Sequence, residues 1–505
     1  MEKLSVEIWD LMVSNLPPPF ASYAAVSRAW QKIFEIKTFS SIHMRNDELE
    51  KLDAIFADPR RRALLRNLKY TVELPNISKK RFKKFQGRRE GAANNMAYTR
   101  AVYVLFERLQ AWGEPSSHGI SLEITAKAPI DSYIPSSPNN HYGDPAWQWR
   151  NMNCWITFDP TAVGPQSLPT VSCVHTLDAR DGRQLHPSFV AIYANALPSL
   201  RKMWWDFYPP GRRLLSLRRD VRTSLANALL HASFDSLAFL DIYWEDSEPL
   251  NQTFPLGDLL EPGSEIDLLS MGVRRISQLP KLQHLILRGC HILSSAAFSL
   301  SPTGDKPDNS PLWPSLTTLR MELSATTPDG RWYFTGDPDS AEPTQERMED
   351  LSESECDYNS SDSDKSHFCP DIAWEKLDGD KPMCSFRHQI DPDTFNTFFL
   401  AMVRSVRHMP RIRQLEFDMG NMGTDCQVSA KYLAPGEKIN WGGDGVTRAF
   451  YEEHQMQSRW YIDLARRYDI DLDWKVPLEI KRELIESTSG GDCVLVQKRG
   501  NRLEI

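Results

Sequence analysis

The chain has 505 residues, 41% of them hydrophobic and 25% charged, with a formal net charge of −8. That length can bury a sizeable core and suits more than one domain or an elongated array. No apolar run approaches the roughly 20 residues a membrane span needs, and a Met-Glu-Lys start followed by an amphipathic pattern predicts no secretory leader. The eight cysteines are scattered without a CxxC pair, which suits free thiols in a reducing compartment, so a cytoplasmic or nuclear location is expected.

Two short amphipathic helices are expected between Leu4 and Phe39. In the first, Trp9, Met12, Val13 and Leu16 recur at three- and four-residue steps and so share a face. Pro17, Pro18 and Pro19 end it, because proline cannot extend a helix but suits the first turn of the next one. In the second, Phe20, Tyr23, Ser27, Trp30 and Phe34 form a stripe that Val26 and Ile33 broaden. Fewer than forty residues with this much apolar surface cannot stand alone, so either the rest of the chain or another protein covers them.

Leu4, Glu7, Ile8, Trp9, Leu16, Pro18, Val26, Ser27, Trp30, Phe34 and Phe39 match the pattern of an F-box, which this stretch resembles. Ser5 stands where that family usually has proline. The resemblance implies docking to a Skp-type adaptor, and through it to a cullin ubiquitin ligase. Leu4, Glu7, Ile8, Trp9, Leu16, Pro18, Val26, Trp30 and Ile33 would then be the adaptor-binding residues.

Farther along, a short helix is expected over residues 46–57 and a strand over Leu65–Leu74, where Leu68, Tyr70 and Val72 alternate. Residues 60–90 hold twelve Lys or Arg against Glu73 and Glu90. Residues 93–112 carry the strongest helical stripe, Tyr98, Val102, Leu105, Leu109 and Trp112, and Ile120–Ala126 alternates like a strand. A unit of the form apolar-Pro-x-apolar-x-x-apolar then recurs at Leu197-Pro198, Leu279-Pro280, Trp313-Pro314 and Met409-Pro410, with a proline-less copy at Ser236–Leu240. Each copy should enter a strand. Helical segments precede three of them, at Pro187–Ala196, Ser216–Ala232 and Asp393–His408. Helix–strand alternation gives a parallel sheet, and this form resembles a leucine-rich repeat with irregular spacing. The C-terminal part has a helix near Thr447–Tyr468, a strand at Ile470–Val476, a helix near Pro477–Glu486 and an edge strand at Asp492–Gln497. The region from Cys384 to Pro410 is similar to the C-terminal part of ascomycete F-box proteins.

Residues 337–366 hold eleven Asp or Glu against Arg347 and Lys365, with almost no apolar residues, which predicts a disordered insertion. Ser352, Ser354, Ser360, Ser361 and Ser363 lie beside acids and suit phosphorylation by acid-directed kinases. No GxSxG, HExxH or GxxxxGK[ST] motif is present. Cys356, His367, Cys369 and Cys384 lack the close spacing of a zinc site. No catalytic residue, cofactor, metal or membrane partner is therefore expected.

The expected fold class is α/β: a helical F-box followed by an irregular leucine-rich-repeat-like array with a parallel sheet. The layout is an F-box over 1–45, a connecting α/β region with a basic loop over 46–130, and an irregular loop over 131–170. An array follows over 171–335, then an acidic insertion over 336–370, a last array unit over 371–430 and a cap over 431–505. The expected function is substrate recognition for a Skp–cullin–F-box ligase, the array holding a target protein. The alternatives are a non-ligase scaffold, or a nucleic-acid-associated protein using residues 60–90, with nucleic acid the weaker partner.

Overall fold

The computed structural model describes residues 15–16, 20–78, 86–113, 118–132, 154–163, 167–300, 312–341, 375–420, 426–438, 454–466, 474–487, 493–499 and 502–504. The chain is mixed α/β with mostly parallel strands. It divides into two compact units, Met1–Asp206 with Ala232–Leu237, and Phe207–His231 with Ala238–Ile505.

The first unit runs α1 (Arg28–Ser40), β1 (Ser41–Arg45), α2 (Leu49–Ile55), β2 (Asn67–Glu73), α3 (Arg88–Gln110), β3 (Ile120–Lys127), β4 (Val174–Ala179), α4 (Phe189–Ala196) and β5 (Lys202–Phe207). These five strands pair in chain order and all are parallel. Leu68, Tyr70 and Val72 of β2 are buried, while Lys69, Thr71 and Glu73 between them are half-buried. The buried face meets the expected stripe of α3, where Tyr98, Val102, Leu105, Phe106 and Leu109 are buried. The Tyr70 hydroxyl donates to the Ala101 carbonyl at 3.1 Å, and the Tyr98 and Tyr193 hydroxyls bond at 2.7 Å. Burial of these phenols is thus matched by hydrogen bonds, as an apolar interior requires.

The second unit runs α5 (Leu215–His231), β6 (Phe239–Trp244), α6 (Leu268–Ser277), β7 (His284–His291), β8 (Thr318–Leu323), β9 (Phe334–Thr335), β10 (Gln389–Ile390), α7 (Thr397–Val406) and β11 (Gln414–Met419). β12 (Cys426–Leu433), β13 (Ser458–Arg466), α8 (Leu478–Glu486), β14 (Cys493–Arg499) and β15 (Arg502–Glu504) complete it. β6, β7, β8 and β11 are successive parallel neighbours. β12 is antiparallel to β11, β13 antiparallel to β12, β14 parallel to β13 and β15 antiparallel to β14. β9 and β10 pair separately.

The recurring sequence unit has a recurring geometry. The Leu200 amide donates to the Leu197 carbonyl at 3.0 Å, Leu282 to Leu279 at 3.2 Å and Ile412 to Met409 at 3.1 Å. The next residue then joins the preceding strand: Arg201 to His175, Gln283 to Ala238, Thr317 to Gln283 and Arg413 to Thr317, each at 2.8 Å. Proline, which has no amide to donate, occupies a turn position that makes neither bond. All five copies lead into strands, β5, β7, β8, β11 and the proline-less β6.

Several elements depart from expectation. Residues 458–466 form β13, not the end of a helix: Trp460, Ile462 and Leu464 are buried and the strand is held between β12 and β14. β14 is not an edge, because β15 pairs with it. β1 lies within the stretch expected to be wholly helical and pairs with β2. The parallel succession begins there, ahead of residue 171. β12 spans residues 430 and 431, where the last array unit and the cap were divided. The second N-terminal helix starts at Arg28, separated from a four-residue helix at Ala21–Ala24. Among the described residues no helix is long and apolar enough to cross a membrane.

Candidate interaction surfaces

Of the expected adaptor-binding residues, Leu4, Glu7, Ile8, Trp9 and Pro18 lie outside the described residues, as do the five serines of the acidic insertion. So do Cys356, His367 and Cys369. The remaining adaptor-binding residues, Leu16, Val26, Trp30 and Ile33, are placed. Ser27 caps α1 in an extended conformation, and its hydroxyl accepts the Trp30 amide at 3.3 Å. One turn on, Phe34 is 1% exposed beneath Phe20, Tyr23 and Trp30, whose ring centroids lie 5.5, 5.4 and 5.6 Å from its own. Leu16, Trp30 and Ile33 are half-buried. Val26, just ahead of α1, is 61% exposed and Ile36 on it is 53% exposed, so among the described residues nothing covers this apolar surface.

The basic block is partly spent on the fold. Arg61 pairs with Glu35 at 3.0 Å and lies 4.9 Å over the Phe39 ring. Arg62 donates to the Phe56 carbonyl at 2.6 Å, and Arg66 donates to the Ala63 carbonyl at 3.0 Å. Lys69 is bonded to Glu123, which holds its ammonium above the usual range. These cations fasten α1 and β2 in place and are not an unengaged patch for phosphates.

On both units, the strand faces opposite the buried side carry charge ladders. In the first, Lys127 pairs with Asp181 at 2.7 Å and Arg180 with Asp178 at 2.6 Å, while Arg180 lies 5.8 Å over the Trp204 ring. In the second, Arg320 pairs with Glu322 at 2.7 Å and with Glu416 on the adjacent strand at 3.8 Å. Ser429 donates to Asp418, whose carboxyl burial nevertheless pushes up; burial likewise lowers Lys431. Arg288 pairs with Asp241 at 2.7 Å and covers the Tyr243 ring, which also meets Tyr208. Opposite charges across strands stabilise each other modestly. The result is two aromatic–arginine islands, Trp204 with Arg180 and Tyr243 with Arg288, set among paired ions. Trp, Tyr and Arg are the residues that most often dominate protein interfaces.

The sequence offers Arg201, Trp204, Trp205, Tyr243, Trp244 and Arg320 as candidates for the exposed face of the array. Arg201 and Arg320 are exposed and Trp204 and Tyr243 half-buried, whereas Trp205 and Trp244 are buried. The reason is strand parity, since successive side chains point to opposite faces. Arg180 and Tyr208, each just beyond a strand, and Arg288 within β7 were missed. Comparison of the chain with protein-family models, characterised proteins and solved structures finds no match.

Proposed function

We propose that the chain is a substrate-recruiting subunit of a Skp–cullin–F-box ubiquitin ligase, its N-terminal helices docking the adaptor and its strand faces holding a target protein. The observation that carries this reading is the exposure of Val26 and Ile36 beside a closed aromatic cluster. α1 has a capped start and an aromatic underside, and the exposed Ile36 on it with Val26 just ahead of it would meet the adaptor. The turn-and-strand unit at β5, β7, β8 and β11, with strands adjacent in chain order, supports reading the array as a degenerate leucine-rich repeat. Such a subunit contributes proximity and orientation and needs no catalytic group.

The test is capture of a purified Skp-type adaptor by the intact chain, by Val26→Asp and by a Trp9→Ala/Trp30→Ala double variant. The intact chain should bind, and Val26→Asp should weaken binding at least ~10-fold, the size expected when a charge enters an apolar interface. Circular dichroism of Val26→Asp should be unchanged because the residue is exposed. A well-folded intact chain that fails to bind the adaptor overturns the proposal.

A further inference from the structure

A recess of ≈ 470 Å³ opens in the second unit. That volume lies in the range of small-ligand sites. Met271 and Phe398 supply apolar wall, and Arg274 of α6 lines it. Among the described residues no hydrogen bond or ion pair engages the Arg274 guanidinium, and its Nε is buried. Desolvation alone holds this arginine below its ordinary pKa, with no carboxylate offsetting it. A cation partly withdrawn from water without a counter-charge is costly, so the site is incomplete until an anion enters.

The other charges of the lining decide which anion. Arg331 is tied to Asp329 at 2.7 Å, and Asp267 to Arg222 at 2.7 Å. Glu265 and Asp393 are exposed acids of the same lining. A phosphate dianion would meet these acids with one unpaired cation to hold it. A single negative charge matches Arg274. The half-buried hydroxyls of Ser294 and Ser295, which make no hydrogen bond among the described residues, can donate to it. A basic group on the same ligand would suit Glu265 and Asp393.

We propose that this recess binds the carboxylate of an amphipathic ligand, with the carboxylate on Arg274, an apolar body against Met271 and Phe398, and a cationic group toward the exposed acids. A peptide C-terminus with an apolar last residue after a basic one has this chemistry; a free small acid shares its carboxylate and apolar body. The proposal rests on the recess and not on adaptor docking. The titration below needs no adaptor, so the two readings fail separately.

The experiment is isothermal titration of the full chain with N-acetyl-lysyl-phenylalanine, its C-terminal amide, 3-phenylpropionate and inorganic phosphate. The free-acid dipeptide should bind saturably and at least ~10-fold more tightly than its amide. If it also outbinds 3-phenylpropionate, a peptide terminus is the source; equal affinity assigns a free acid. Arg274→Gln should abolish the preference for acid over amide, and Arg274→Lys should keep part of it. Both variants should fold, since the guanidinium holds no partner among the described residues. Failure of both acids to saturate the folded chain up to ~10 mM overturns the proposal. So does an acid preference that survives in Arg274→Gln, or tighter binding of phosphate than of both acids.

Discussion

Helices α1 and α7 carry the same kind of signal and meet opposite fates. Both present aromatic residues at helical spacing. On α7, Phe398, Phe399, Met402, Val403 and Val406 are all buried. Phe398 and Phe399, with Phe395 just ahead of them, close on Phe417 of β11, and Trp474 meets Phe395 edge-on at 5.5 Å. On α1 only Phe34 is buried, under rings drawn from the same short stretch. Periodicity therefore identifies a face that must be covered but does not say what covers it. For α7 the second unit supplies strand and aromatic surface from residues 395 to 474. For α1 the described residues supply the cluster around Phe34 and a contact of Phe39 with Phe56, and leave Ile36 and the preceding Val26 exposed.

The largest way to break this comparison is at Phe417, which is 0% exposed and touches three phenylalanines. Phe417→Ala should destabilise the second unit by about 3–5 kcal/mol, the usual cost of a large cavity. Urea unfolding monitored by hydrogen exchange of β11 and α7 amides measures it. A cost below ~1 kcal/mol would mean that α7 is loosely packed and that the contrast with α1 is false.

The second unit closes over polar groups too, which gives a pH test. At Gly289, φ is +94° and an added Cβ would lie 2.5 Å from the Trp244 carbonyl oxygen. Only glycine suits that position, where the β7–β8 register shifts and the chain turns His291 inward. His291 Nε2 bonds the Ile242 carbonyl at 3.2 Å, and burial lowers its pKa from 6.5 to about 4, with Arg222 adding to the effect and Asp246 opposing it. The imidazole is thus neutral in the folded chain. An unfolded chain takes up a proton as pH falls through 6.5, so this contribution is complete above that value and is lost progressively toward pH 4. The loss should reach about 3 kcal/mol, as linkage requires for a shift of this size. Denaturant midpoints measured across this window should fall steeply in the native chain and less in His291→Gln. Equal slopes would show that the imidazole is not sequestered.

Much of the architecture was legible because its signals are local. The Leu-Pro turn sets both the tight backbone bond and the first bond of the next strand, so four strand starts could be read from four copies of one pattern. β13 was misread because Trp460, Ile462 and Leu464 define a strand only once β12 and β14 flank them. Trp205 and Trp244 were placed on the open face because the start of each strand, and hence its parity, was not known to one residue. The recess was invisible: Met271 and Arg274 share a face of α6, but Ser294 and Phe398 come from other elements, and no spacing brings them to that face. A lone unpaired arginine becomes informative only when the partners of every other nearby charge are known.

The smallest expected effect tests the comparison from the side of α1. Val26→Ser removes two methyl groups from a residue that is 61% exposed, so little burial is lost. Its stability cost in the isolated chain should stay within about 0.5 kcal/mol, the range of ordinary surface changes. Phe34→Ala, eight residues on, should cost several times more, because three rings lose the surface they stack on. Hydrogen exchange of the α1 amides reads both variants directly. If Val26→Ser loosens α1 as much as Phe34→Ala does, then Val26 is part of the helix's own support. The exposed face would then be no docking surface. If it leaves α1 intact, the residue's apolar character is not needed by the fold, and a partner is what remains to use it.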